Sequence, residues 1–155
     1  MSRTESSLER WLLPSAEILT VGMPFCVFKL LTGLIALRSP ALAPLGYALL
    51  ALGSVDLLLN VANLFALLAT GKRIGAVCLT DVLLRRLASG DSELGLAVDV
   101  FLSFGLVAIV IGFGLILRIP TWAVPIWNIA VVLNVLGAGV GRVFEALRRG
   151  RKVAA

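Results

Sequence analysis

"GSVDLLLNVANLF", residues 53–65, places Asp56, Asn60 and Asn63 at helical spacing inside a run otherwise made of Leu, Val, Ala and Phe. At 100° per residue these three polar groups share one helix face with Gly53. The apolar character extends from 42 to 69, and about 20 residues of helix are enough to cross the hydrocarbon core of a bilayer. A carboxylate and two amides carried to that depth are costly unless they turn inward and find partners. The stretch therefore predicts a membrane helix with a polar face buried against other helices.

Three further apolar runs, 17–37, 95–117 and 122–146, are long enough to do the same, and hydrophobic residues make up 59% of the 155-residue chain. A mean hydropathy of +1.02 places the composition outside the soluble range. The expected fold is an all-α polytopic membrane protein: a single domain, residues 1–155, forming an antiparallel four-helix transmembrane bundle. Its one sizeable connection is the loop 70–94, where Val77, Leu79, Val82, Leu83, Leu84 and Leu87 alternate with Thr80, Asp81, Arg85 and Arg86. That pattern suits a short helix lying in the headgroup region.

Charge gives the orientation. Arg3, Arg10, Lys72, Arg73, Arg85, Arg86, Arg148, Arg149, Arg151 and Lys152 fall in the N-terminus, the middle loop and the C-terminus, whereas only Arg38 and Arg118 sit at the two short turns. Basic residues concentrate on the cytoplasmic side, so both termini and the middle loop are expected there, in a bacterial inner membrane. The net charge of +5 then reports topology and contact with a lipid bilayer, not nucleic acid. A cleavable signal peptide fits the first run poorly, because that run contains Lys29 and follows Glu5 and Glu9.

The chain has no histidine, which removes the usual ligand of b-type haem and of zinc and the usual general base. Cys26 and Cys78, one in the first span and one in the loop, are expected at different depths and unpaired. No catalytic signature, metal cluster or phosphate loop is present, so neither an enzyme nor a cofactor is expected. Ser6 or Ser7 could cap a turn ahead of Trp11 at the inner interface, with Tyr47, Trp122 and Trp127 expected near the outer one. Pro24 should kink or widen the first helix. "GLIALRSPALAP" (33–44) and "GLILRIPTWAVP" (114–125) echo one another as two hairpin turns built on Leu-Arg-x-Pro.

Counting about 1.5 Å per residue from the middle of each span puts Lys29, Asp56 and Asn134 near the midplane. Asn63, Asp99 and Arg142 form a layer nearer the cytoplasm, with Asn60 and Ser103 between. Gly22, Cys26, Lys29 and Gly33 share a face of the first helix and should turn inward toward the Asp56 face. Depth and sign allow two pairs, Lys29 with Asp56 and Asp99 with Arg142. Gly137 and Gly141 form a GxxxG packing surface, and Gly105 with Gly112 suggests another.

The leading functional expectation is a small non-enzymatic accessory, assembly or structural subunit, with other membrane protein chains or copies of itself as partners. The alternative is a compact transporter or proton- or cation-conducting bundle that uses Lys29, Asp56, Asn60 and Asp99. The two differ physically in whether the polar interior is dry and fully paired or hydrated and open.

Overall fold

The computed structural model describes the backbone at residues 12, 14–76, 78–87 and 92–153, and side chains at 12, 14–76, 78–83 and 97–139. Five helices follow in order: α1 (Pro14–Ala36), α2 (Ala43–Thr70), α3 (Leu79–Leu87), α4 (Ser92–Gly112) and α5 (Val124–Val153). Regular structure among the described residues is entirely helical. Three segments, Pro14–Ala36, Pro40–Thr70 and Thr121–Gly139, are long and apolar enough to cross a membrane. Ser6, Ser7, Trp11 and the Arg142 side chain lie outside the described residues.

α4 is shorter than the expected 95–117 span because its end is set by glycine. Gly114 takes the left-handed conformation (φ 65°), and the N–H groups of Phe113 and Gly114 turn back to the carbonyls of Ile109 and Ile111. A left-handed glycine just past the last turn satisfies carbonyls that would otherwise be orphaned and stops the helix. A 3-10 turn, Leu115–Arg118, then leads toward α5.

α1 is the central helix: 56% of its apolar window is buried, against 22% in each of the other two long segments. Pro24 cannot donate to the carbonyl four residues back and its ring crowds that carbonyl. The preceding turn, Ile18–Gly22, opens into a π-helix in which the Met23 N–H reaches the Ile18 carbonyl. This is the widening that the proline predicts.

On one side α1 meets α2 through small residues. A Cβ built on Gly46 would lie 2.9 Å from the Gly33 carbonyl oxygen, and one on Gly53 would lie 3.1 Å from Lys29 Cβ. On its other side α1 meets α5, where the Phe28 and Trp127 rings are 5.0 Å apart and a Cβ on Gly137 would lie 2.2 Å from Thr20 Oγ1. The first glycine of the GxxxG pair therefore packs on α1 of the same chain, whereas the surroundings of Gly141 lie outside the described residues. Among the described residues no heavy atom comes within 4 Å of a Cβ at Gly105 or Gly112, so these two glycines form no packing seam with them.

Trp127 is 1% exposed and belongs to the apolar core with Phe25, Phe28, Leu31, Ile35 and Val110. Its expected interfacial position is corrected, since the ring fills the space between α1 and α5. Tyr47 and Trp122 are exposed. The two Leu-Arg-x-Pro turns meet at this end of the molecule, where Arg38 Nη1 donates to the Arg118 carbonyl at 2.9 Å. We call this the turn end, and the opposite end, where Pro14 and Thr70 lie, the basic end.

Candidate functional site

The polar face of α2 serves the chain that follows it. Gly71, at φ 72°, closes α2, and residues 72–76 double back along the helix they have just left. Asn63 receives this segment: its Oδ1 accepts from the Ile74 and Gly75 N–H groups at 3.0 and 3.2 Å, and its Nδ2 donates to the Ala76 carbonyl at 2.9 Å. One amide thus satisfies three backbone groups of an irregular segment. Asp56 receives the next contact, its Oδ1 accepting from the Leu79 N–H at 2.6 Å.

These anchors measure the descent. At 1.5 Å per residue Asn63 lies about 10 Å and Asp56 about 21 Å from the end of α2 at Thr70. A chain of the length from Gly71 to Leu79 can reach about 26 Å when extended, enough to cover that distance. Leu79 is the first residue of α3, so the helix begins halfway down α2 with its N-terminus on the Asp56 carboxylate. The helix expected across the headgroup region thus starts against the middle of α2. The amphipathic pattern of 79–87 is real, but its first turn faces the bundle.

Lys29 completes the centre. Its Nζ donates to Asp56 Oδ2 at 2.6 Å and also to Asp99 Oδ1. Lys29, Asp56 and Asp99 are 0%, 1% and 6% exposed. Helical side chains lean toward their own N-terminus. The lysine stem therefore leaves α1 opposite Gly53 and carries the ammonium toward Asp56, about one turn nearer the basic end. Thr80 Oγ1 donates to Asp99 Oδ1 at 3.4 Å. Asp99, assigned by depth to Arg142, thus shares the lysine of Asp56.

Asn60 Nδ2 donates to the Asp56 carbonyl at 2.8 Å and lies 3.6 Å from Cys26 Sγ. Asn134 is buried on the α5 stripe between Trp127 and Gly137 that packs on α1, and it does not line the central cavity. Ser103, four residues beyond Asp99, is fully buried.

A cavity of about 50 Å³ opens beside the cluster. Lys29, Asp56, Asp99, Asn60, Cys26 and Cys78 form its polar wall, Val21, Phe25 and Val100 its apolar one, and Glu17 stands at its basic-end margin. One water needs about 10–15 Å³ of such space, so there is room for about three. Cys26 and Cys78 are both free and share this wall, which corrects their expected separation in depth. At the margin, Arg73 Nη2 bonds Glu17 Oε2 at 2.6 Å and the Pro14 carbonyl at 3.1 Å, fixing the start of the returning segment to α1.

Cys78, Thr80 and the Leu79 N–H were not among the site residues expected from sequence. Their signal was indirect: α2 carries more polar groups on one face than the other helices offer side chains to satisfy. Comparison of the chain with protein-family models, curated proteins and solved structures gives no significant match.

Chemically, the centre as formed by the described residues holds one ammonium and two carboxylates in near-complete burial. When all three are ionised, this described set is one positive charge short. Such an excess in a low-dielectric interior is relieved by taking up a proton or a cation.

Proposed function

We propose that this chain is a compact ion-handling membrane protein, a carrier that takes a proton or small cation from the basic end to the Lys29–Asp56–Asp99 centre. In this reading α1, α2, α4 and α5 span a bacterial inner membrane, both termini are cytoplasmic, and residues 71–87 form a re-entrant loop and half-helix. One observation carries the proposal: a cavity large enough for water leads to a buried cluster that, among the described residues, lacks one positive charge. Irregular backbone at membrane depth is tolerated where protein covers it or where it lines a watery cavity, and half-helix termini at such depth commonly mark ion sites. The π-turn beside the cavity is a further feature found often at functional sites.

The apolar core around Phe28 and Trp127 closes the turn end, so passage requires a rearrangement and the expected transport is slow and carrier-like. The test is purified protein in liposomes containing a pH-sensitive dye, driven by an imposed potential. Wild type should acidify the lumen faster than protein-free liposomes, and Asp99→Asn should abolish the difference while folding and inserting normally. Flux no higher than that of empty liposomes would return the chain to the accessory or structural role, with other membrane chains or a second copy as partner.

A further inference from the structure

The proposed carrier reading leaves open which ion is taken and which carboxylate takes it. From the bonding of the individual oxygens we infer that the cargo is a proton and that Asp99 Oδ2 is the atom that accepts it, while Asp56 stays charged as the fixed partner of Lys29.

The two carboxylates are not equivalent. Both oxygens of Asp56 are engaged, Oδ1 by the Leu79 N–H and Oδ2 by the Lys29 ammonium, each at 2.6 Å. Donors on both oxygens, with the N-terminus of a half-helix behind one of them, favour the charged form. Asp99 uses only Oδ1, which accepts from Lys29 and, more weakly, from Thr80 at 3.4 Å. Its Oδ2 has no hydrogen-bond partner among the described residues, although the residue is 6% exposed and lines the cavity. A carboxylate oxygen without a protein donor, inside a largely buried residue and open to space for water, is where a proton gains most.

Charge balance gives the same assignment. A proton on Asp99 leaves one ammonium and one carboxylate, Lys29 and Asp56, as a neutral pair. A hard metal cation fits less well. It would sit beside an ammonium already bonded to both carboxylates, and it needs about six oxygens where the cavity wall offers few that are not already engaged. Among the described residues no three His, Cys, Asp or Glu side chains form a metal-type group. The step is a simple transfer: a hydronium ion delivered by cavity water gives its proton to Asp99 Oδ2, one O–H bond breaks, one forms, and neutral water remains.

The other groups facing Asp99 are Lys29 and Cys26 from α1, Asp56 and Asn60 from α2, and Cys78 and Thr80 from the returning segment and α3, with Glu17 at the margin. Of these Asp56 and Glu17 carry carboxyls, and Asp81, buried in the first turn of α3, is a third whose signal could be confused with that of Asp99.

The test is infrared difference spectroscopy of the protein in lipid, acid minus neutral, in H2O and D2O. A carboxyl shielded from water absorbs at higher frequency than a hydrated one. Wild type should show one such high-frequency C=O band, kept in Glu17→Gln, Asp81→Asn and Asp56→Asn and lost in Asp99→Asn. Circular dichroism establishes that each variant compared is folded. Absence of the band from wild type, its persistence in Asp99→Asn, or its loss in Glu17→Gln or in folded Asp81→Asn or Asp56→Asn would overturn the assignment. The band without liposome flux would defeat the carrier reading alone; flux without the band would defeat this inference alone.

Discussion

Lys29 is shared between two carboxylates, and that sharing decides what each substitution at the centre does. Lys29→Met leaves Asp56 and Asp99 facing one another in burial without their cation, so it should destabilise by about 3–5 kcal/mol, the cost of breaking a buried pair from one side. Asp99→Asn keeps the balanced Lys29–Asp56 pair and should cost markedly less. Combining Lys29→Met with Asp99→Asn should cost less than the sum of the two, because the second change removes one of the charges that the first exposes. Unfolding in mixed micelles measures all three, and strict additivity would mean that the residues do not act as a cluster. Glycines give a second residue-scale prediction. At Gly46 an added Cβ meets backbone, the Gly33 carbonyl, at 2.9 Å, whereas at Gly22 it meets the end of the Asn60 side chain at 2.2 Å. Backbone cannot swing away and an amide can. Gly46→Ala should therefore separate α1 from α2 and lower the unfolding free energy by the about 1–3 kcal/mol typical of overpacking, more than Gly22→Ala does.

At the scale of elements, the returning segment is the least regular and most informative piece. Asn63→Ala would strip partners from the Ile74 and Gly75 N–H groups and the Ala76 carbonyl at once. Hydrogen exchange across 72–80 should be slow in wild type and accelerate about tenfold or more in the variant, as expected when a bond set worth more than 1.4 kcal/mol is lost. Rapid exchange in wild type would mean that the segment is an ordinary surface loop. Much of the rest was legible in the sequence. The faces Gly22–Cys26–Lys29–Gly33 and Gly53–Asp56–Asn60–Asn63 could be drawn from the 3.6-residue period alone, and the structure packs them together. The returning segment was not legible. "GKRIGAVC" has the basic and glycine content of a solvated connector, and the period of 79–87 is the same whether its apolar side meets lipid or helices. Periodicity carries direction around a helix axis but no depth. Trp127 was misplaced for a related reason: the amphipathic preference of tryptophan says nothing about a neighbour such as Phe28 that buries it.

The whole molecule divides into two halves of different character. Toward the turn end, aromatic and branched side chains between α1, α4 and α5 close the bundle, with the Phe28 and Trp127 rings 5.0 Å apart. Toward the basic end the π-turn widens α1, the returning segment fills part of the gap, and the remainder is the cavity. The outer faces of α2, α4 and α5 expose Leu58, Phe65, Phe101, Ile129 and Val135, as suits a surface solvated by lipid. The proposed carrier requires an interior that admits water from one end only. The most direct measurement replaces Cys26 and Cys78 by alanine, introduces Val21→Cys on the cavity wall, and applies a charged, membrane-impermeant thiol reagent to each membrane face in turn. Modification is expected from the face at the basic end and not from the other. A cysteine at this position that resists the reagent from both faces, or reacts only from the turn end, would contradict the proposal.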